Sequence, residues 1–314
     1  MNMGISQEEI RRAACRGYVK ENNAVSPPPL RLVLAAVPAY NCTMSRDQSQ
    51  ERGAGLLVHL GGLGDVCLSE STILSVELQF GRLRAVGNKP VLDVFREYFT
   101  GVDSADRRSQ AYLFSDSAPG PFLQRVIYIG KDRLGFFRKG LERLADEIFF
   151  IDMYPEGRAV PVEDYQLEQI SRYGIKPVRK KTERKTGRLV ILYPERPYKK
   201  KKWPVARFCE VWEHLRTQDV EVLLMRQPGL DLSGLPSFSF ERLSDIAAFF
   251  SQGGIFVSND SGMAHFAARC GLLPITLFFD ADPVVWRPRG GKIIDCAGGP
   301  PPVEEIARLI AAAL

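Results

Sequence analysis

The sequence has few of the features that mark a membrane-spanning, disulfide-rich or metal-binding protein. No apolar run approaches the roughly 20 residues that a helix needs to cross a bilayer. The 6 cysteines are scattered without a C-x-x-C pair, and the 3 histidines lie far apart. This argues against a disulfide framework and a zinc site. The sequence therefore predicts a cytoplasmic protein with reduced thiols and no bound metal.

What the sequence does contain is typical of a globular protein with two domains. Its 314 residues are 45% hydrophobic and 25% charged, with a modest net charge of +5. The polar, basic and turn-rich run at 179–187 is typical of a linker between domains. We therefore expect a first domain at 54–178 and a second at 188–314. A poorly ordered extension is expected at 1–53.

The clearest pattern lies between residues 254 and 290. The apolar run at 255–257 predicts a buried strand, and the SNDSG sequence after it collects loop and helix-capping residues. Residues 263–270 then read as a helix closed by Gly271, followed by a strand at 274–279. Ligands of open parallel sheets bind beside loops that leave the carboxyl ends of strands. The SNDSG loop is therefore a predicted ligand site.

His265 is the titratable residue of this predicted helix start. It lies about 200° around the helix from Met263 and so faces away from the apolar stripe that packs on the sheet. Free N–H groups and the helix dipole favour an anion and a neutral imidazole there. Two interpretations stay open: a neutral histidine beside a phosphate-binding helix start, or a solvent-facing histidine with Asp260 as a simple cap.

A second strand–loop–helix unit opens the first domain. The nearly continuous apolar run at 55–60 is typical of a central parallel strand, and the GGLGD turn leads to a helix predicted at 66–80. A dinucleotide fingerprint is incomplete because Cys67 stands where its third glycine would be. The position of Asp65 at the start of the predicted helix is compatible with two roles. Its carboxylate could cap the helix or face a cleft.

A lysine run marks the start of the second domain. The predicted strand at 189–192 is followed by four lysines at 199–202 and then by Trp203 and Pro204, which suit the start of a helix. Lysines at a helix start beyond the carboxyl end of a strand provide positive charge where a phosphate would bind. The other interpretation is that this basic run, like most such runs, is simply a solvated segment.

Both halves of the sequence resemble glycosyltransferase family 9, the ADP-heptose:lipopolysaccharide heptosyltransferases. The GGLGD turn is similar to the "G-x-x-G-D" of the family, and the KKWP run to its "K-x-W-P". The longest match is to the signature "NDSG-x-x-H-x-A-A…P…D-P-x-x-W-x-P-x-G". Its matching residues are Asn259, Asp260, Ser261, Gly262, His265, Ala267, Ala268, Pro274, Asp282, Pro283, Trp286, Pro288 and Gly290. The chain departs from the family at 194–197 and at 279–281.

The resemblance implies an α/β protein with the GT-B fold, in which two Rossmann-like αβα domains with parallel sheets face a cleft. The last helix can cross back onto the first domain in that architecture. The resemblance also implies inverting, metal-independent sugar transfer with Asp65 as the general base. The acceptor-side loop would comprise Gly61, Gly62 and Gly64. The donor would be bound by Lys201, Asp260, Ser261, Gly262 and His265.

The partners that the resemblance implies are a nucleotide sugar, with ADP-heptose as the expected donor, and a lipid-linked or phosphorylated glycan such as a lipopolysaccharide core. No cofactor is expected beyond this donor. The basic runs would suit an anionic membrane surface at the inner face of the inner membrane. A member that binds a nucleotide sugar without turning it over remains an alternative. A nucleic-acid-binding protein is the other, although the sequence contains no motif for one.

Overall fold

The computed structural model describes residues 55–115, 118–195, 202–218, 220–227, 229–232, 235 and 237–314. The predicted extension at 1–53 and Lys201 lie outside these residues. The described residues belong to one compact unit. We call those up to 178 the first half and those from 188 onward the second half.

The first half contains a parallel sheet with the strand order β3-β2-β1-β4-β5. Its strands are β1 (Gly55–His59), β2 (Leu83–Gly87), β3 (Phe99–Ser104), β4 (Leu123–Gly130) and β5 (Ala145–Asp152). The first of these is central and pairs in parallel with β2 and β4. Both of its faces are covered, which explains why its sequence is nearly continuously apolar. The turn that follows it therefore leaves the middle of the sheet.

The second half contains a parallel sheet with the order β11-β10-β9-β6-β7-β8. Its strands are β6 (Leu189–Tyr193), β7 (Glu221–Met225), β8 (Ser237–Phe238), β9 (Ile255–Asn259), β10 (Leu273–Phe278) and β11 (Lys292–Asp295). The interior strand β9 is entirely buried and pairs with β6 and β10. Two parallel sheets in an α/β fold are what the sequence predicts.

Helices connect the strands of both sheets. They are α1 (Leu63–Leu68), α2 (Glu70–Phe80), α3 (Lys89–Leu92), α4 (Phe136–Glu142), α5 (Val162–Arg172), α6 (Val205–Leu215), α7 (Leu243–Phe250), α8 (Gly262–Cys270), α9 (Pro283–Trp286) and α10 (Val303–Ala311). Two 3₁₀ helices, Asp93–Tyr98 and Arg108–Phe114, follow α3 and β3. The helix predicted at 66–80 is in fact α1 and α2, joined at the buried Ser69 and beginning at Leu63.

The hydrophobic packing joins the two halves. One buried cluster includes Leu57 and Ile127 of the first sheet together with Phe256 and Phe266 of the second half. The buried residues of the last helix, Ile306 and Ile310 among them, pack with α6 and the second sheet. In the part of the chain that the structure describes, this apolar stripe is therefore used within its own half. A crossing of the last helix onto the first half, which the GT-B architecture allows, stays a possibility from the sequence.

Candidate active site

The candidate site begins where α1 of the first half packs against α8 of the second. A methyl group on Gly262 would lie 2.9 Å from the backbone nitrogen of Gly64, and one on Gly64 would lie 3.0 Å from the Gly262 Cα. Glycine at both positions thus lets the two backbones touch. The consequence is that the amino-terminal ends of the two helices, which carry partial positive charge, lie side by side.

Asp65 lies in the first turn of α1, and both oxygens of its half-buried carboxylate accept hydrogen bonds. Oδ2 accepts from the Gly62 N–H at 2.8 Å, and Oδ1 accepts from the Tyr154 hydroxyl at 2.8 Å. The first bond is a helix cap. Asp65 therefore does cap its helix, while its position beside Gly64 places it next to α8. The two interpretations of this residue are not mutually exclusive.

His59 supports the turn that carries Asp65. Its Nδ1 accepts a hydrogen bond from the Gly61 N–H at 3.2 Å, so the ring proton is on Nε2, which lies 3.1 Å from the Ser69 Oγ. The ring is completely buried. Burial lowers its pKa from 6.5 to about 4 and outweighs the opposing effect of the Asp65 carboxylate. A neutral imidazole thus fixes Gly61 at one end of the turn and Ser69 at the other.

The start of α8 follows directly from the end of β9. The Asp260 N–H donates to the Leu277 carbonyl oxygen at 2.9 Å, and Ser261 is the N-cap residue in an extended conformation. The Ser261 Oγ is buried and finds no hydrogen-bond partner within the described part of the chain. A buried hydroxyl and the free N–H groups of the first turn form a place suited to an anion. The donor-binding roles of Asp260, Ser261 and Gly262 stay predictions.

His265 is buried, with 6% of its surface exposed, so the interpretation as a solvent-facing side chain is wrong. It does lie on a different side of α8 from the apolar stripe, but α1 covers that side. A methyl group on Gly64 would be 3.5 Å from its Cδ2. Burial, followed by the charge of Arg289, lowers the pKa of His265 from 6.5 to about 4. The imidazole is therefore neutral, as the other interpretation requires.

Asn259 joins the two motifs of the second half. Its Oδ1 accepts from the Trp203 N–H at 2.9 Å and its Nδ2 donates to the Trp203 carbonyl oxygen at 3.4 Å. Lys202, which precedes Trp203, pairs with Glu195 at 2.8 Å. Burial raises the pKa of Glu195, and Lys202 opposes this shift. The predicted phosphate ligand Lys201 lies outside the described residues, so its role stays a prediction.

Two aromatic residues at the site were not predicted from the sequence. The ring of Tyr154, which follows β5, lies 4.8 Å from the ring of Trp286 between centroids. Trp286 belongs to the quoted signature, but its spacing does not show what it touches. Nothing in the sequence around Tyr154 indicated that it belongs to the site, because its contacts are with residues that lie far away in the sequence.

A buried ionic network also joins the halves. The Glu70 carboxylate has no exposed surface and accepts hydrogen bonds from Tyr98 at 3.0 Å, Arg269 at 3.1 Å and Arg289 at 3.0 Å. Arg289 also donates to Glu163 at 2.9 Å. Both arginines come from the second half and both carboxylates from the first. The network therefore links the halves close to the contact of α1 with α8.

The Asp280-Ala281-Asp282 sequence resembles a metal-binding D-x-D, but Asp282 acts as the N-cap of α9. Its Oδ1 accepts from the Val284 N–H at 2.8 Å. Within the residues that the structure describes, no group of three or more His, Cys, Asp or Glu side chains could hold a metal ion. None of the described helices is both long and apolar enough to cross a membrane.

Two parallel αβα halves that meet at paired helix starts define the GT-B fold, and solved structures share it. The glycosyltransferase family 9 protein from Veillonella parvula DSM 2008 is 14% identical, with a TM-score of 0.61 over 85% of this chain and 92% of that one. E. coli heptosyltransferase WaaC with ADP is 13% identical, with a TM-score of 0.61 over 83% and 100%. E. coli ADP-heptose lps heptosyltransferase II is 13% identical, with a TM-score of 0.59 over 83% and 98%.

The predicted GT-B fold and the resemblance to family 9 glycosyltransferases are thus confirmed by three-dimensional structure. Neither a scan against protein-family models nor a search of curated proteins gave a match. At identities of 13–14%, the similarity establishes the fold. The chemistry has to be argued from the residues of the site.

Proposed function

We propose that this protein is an inverting, metal-independent glycosyltransferase that uses a nucleotide-activated sugar, with ADP-heptose as the donor. The Asp65 carboxylate takes the proton of an acceptor hydroxyl while the oxygen attacks the anomeric carbon. The bond from that carbon to the diphosphate oxygen breaks on the opposite side, and a nucleoside diphosphate leaves. The N–H groups of Ser261 and Gly262 stabilise the diphosphate, with Lys201 as a further cation.

The observation that carries this proposal is the contact of Gly64 with Gly262. It brings the carboxylate of one half beside the anion-favouring helix start of the other. Transfer requires a base and a leaving-group site on either side of one reacting carbon. Similarity to WaaC, which has been solved with ADP and with ADP-2-deoxy-2-fluoro heptose, supports a nucleotide sugar as the donor. The two neutral histidines add no positive charge that would neutralise the base.

The proposed acceptor is a lipid-linked or phosphorylated glycan, such as a lipopolysaccharide core, met at the inner face of the inner membrane. The segment after β4 supports an amphiphilic molecule, because it exposes 81% of Leu134 and 65% of Phe136. Lys131 of the same segment lies over the ring of Tyr154, the partner of Asp65. The basic run at 179–187 supports a membrane less well, since Arg179 pairs with carboxylates of its own chain.

The alternative is a protein that binds a nucleotide sugar without turning it over. This is favoured by the two hydrogen bonds that already occupy the Asp65 oxygens. A base must in addition accept the acceptor hydroxyl through one of the lone pairs that these two bonds leave open. Of the two functions, only the transferase requires that the Asp65 carboxylate also contact the acceptor hydroxyl.

A screen of nucleotide sugars with the full chain tests the proposal. Wild type should release ADP from ADP-heptose in the presence of acceptor, and EDTA should not reduce the rate. Asp65→Asn should lower kcat by at least about 10²-fold and still bind ADP, since a general base contributes about 10²–10⁴. Asp245→Asn, which changes a first-turn aspartate of α7, is the matched control and should keep the wild-type rate.

The outcomes separate the candidate functions. Binding of ADP without turnover of any donor would favour the non-catalytic alternative. Thermal stabilisation by duplex DNA but not by ADP would favour a nucleic-acid-binding protein. Undiminished turnover in Asp65→Asn would show that this residue is not the general base. Loss of activity in EDTA would indicate a metal site, for which Asp280 and Asp282 are the candidates.

A further inference from the structure

Tyr154 occupies a position between the candidate base and the second half. Its hydroxyl donates to the Asp65 Oδ1 at 2.8 Å, and its ring centroid lies 4.8 Å from that of Trp286. On the first-half side, the Lys131 Nζ lies 4.3 Å from the ring centroid. The tyrosine ring is therefore held by contacts with both halves, while its hydroxyl points at the carboxylate.

We propose that Tyr154 is a positioning residue, which fixes the orientation of the Asp65 carboxylate and links that orientation to the contact with Trp286. This inference rests on the proposed function. The Gly62 N–H holds one carboxylate oxygen and Tyr154 holds the other, so neither bond alone sets the plane of the group. Without Tyr154 the carboxylate could rotate about its remaining bond.

The Tyr154 hydroxyl is suited to donate a hydrogen bond rather than to act as a base. Burial, and after it the Asp65 charge, raises the pKa of Tyr154 well above its ordinary value of 10. The hydroxyl thus keeps its proton at neutral pH and donates it in the hydrogen bond to the Asp65 carboxylate. Burial keeps two histidines near this contact neutral: His59 on β1, which the Asp65 charge influences, and His265 on α8, which lies against Gly64.

Trp286 makes the arrangement depend on both halves. It belongs to α9, and its neighbour Val285 is buried in a small cluster with Leu68 and Val162 of the first half. If the halves separate to admit a substrate, Tyr154 loses the ring against which it packs. The hydrogen bond to Asp65 should then be weaker in the open form and complete in the closed form, where a base is needed.

Tyr154→Phe tests the proposal, since it keeps the ring on Trp286 and removes only the hydroxyl. We expect kcat to fall by about 10- to 10²-fold, as small misplacements of reacting groups do, with the donor KM changed less than about twofold. The pH–rate profile should move as well, because the hydroxyl contacts the carboxylate that takes the proton of the acceptor. Trp286→Leu should show part of the same loss.

Tyr173→Phe is the matched control, because its half-exposed hydroxyl donates to the Phe150 carbonyl oxygen and not to the site. It should leave both kcat and the pH profile unchanged. A Tyr154→Phe protein with wild-type kcat and a superimposable pH profile would overturn the proposal. So would a loss of rate with no movement of the profile, since general destabilisation would explain that result.

A second measurement does not need turnover. NMR spectra of protein labelled with ¹³C-tyrosine are recorded for the wild type and for Tyr154→Phe. The ring resonance that is present in the wild type and missing in the variant belongs to Tyr154. In Asp65→Asn this resonance should begin to titrate at lower pH, because the carboxylate charge is gone. If the Tyr154 titration is the same in Asp65→Asn as in the wild type, the contact between the two residues is overturned. If the titration shifts but the wild-type protein transfers no sugar, only the proposed function is overturned.

Discussion

At the scale of single residues, the surroundings of the histidines show how the fold changes their chemistry. Of the 3 histidines in the sequence, His59 and His265 are buried beside α1 and His214 is exposed on α6. Burial removes water from the imidazole and disfavours its charged form. Both buried rings are therefore neutral near pH 7, and neither places a positive charge beside Asp65.

Lowering the pH from about 6.5 to about 4 should destabilise the protein through these two residues. Their pKa values are about 4 in the folded protein and 6.5 in the unfolded chain, so the unfolded chain binds more protons in this window. The free energy of unfolding therefore has its full value above pH 6.5 and decreases as the pH falls towards 4. Each histidine should contribute roughly 3 kcal/mol to the loss. Urea denaturation at a series of pH values measures it.

Single variants assign the pH effect. His59→Gln and His265→Gln should each flatten the dependence of the unfolding free energy on pH between 4 and 6.5. His214→Gln, which changes an exposed histidine, should leave the slope as in the wild type. Equal slopes in all four proteins would mean that other groups control the acid sensitivity.

At the scale of elements, the second half is organised by the junction between the end of β9 and the start of α6. The Asn259 side chain bonds both backbone groups of Trp203, and the Trp203 indole N–H donates to the Pro301 carbonyl oxygen at 3.2 Å. Buried backbone groups need such partners because no water reaches them. One amide thus holds the segment after the lysine run against the loop that precedes α8.

Asn259→Ala should therefore destabilise the second half. The Trp203 N–H would be left buried without its partner, a change that costs about 1–3 kcal/mol. The junction would also loosen, so we expect weaker binding of ADP. Chemical denaturation measures the first effect and isothermal titration calorimetry the second.

Asn88→Ala is the control for this variant, because Asn88 is exposed and its side chain makes no capping bond to α3. It should change neither stability nor ADP binding appreciably. If Asn259→Ala lost stability but kept full affinity for ADP, the junction would be structural and the nucleotide would bind elsewhere.

At the scale of the whole molecule, charged groups set how the halves meet. Glu70 lies between Arg269 and Arg289, and these arginines also pair with Glu97 and Glu163. A fully buried carboxylate is tolerated only where hydrogen bonds and opposite charges replace water. Since the carboxylates come from one half and the arginines from the other, separating the halves would expose or unpair them together.

Glu70→Gln should lower the free energy of unfolding by roughly 3–5 kcal/mol, which is the usual cost of removing one partner of a buried ion pair. It should also reduce the cooperativity between the halves, so that calorimetry shows a broadened or split transition. The matched control is Glu210→Gln, which removes an exposed pair with Arg207. A sharp transition at the wild-type temperature in Glu70→Gln would show that the apolar contacts alone join the halves.

Local sequence patterns were sufficient for much of the fold and for the outline of the site. The apolar runs predicted β1, β6 and β9, because a strand covered on both faces needs nonpolar residues throughout. The capping residues and Gly271 predicted α8, since a helix start and a left-handed helix end have strong local preferences. The junction at Ser69 was missed because its partner, His59, lies on a different element.

The sequence by itself determined the two sheets and the two strand–loop–helix units, because each depends on preferences of neighbouring residues, and its resemblance to family 9 indicated the candidate residues Asp65, Ser261 and Gly262. Only the tertiary structure decided that α1 and α8 touch, that His265 is buried and that Tyr154 bonds Asp65. It also decided that Glu70 is matched by arginines about 200 residues away in the chain. Packing between halves brings distant residues together, and no local spacing encodes it.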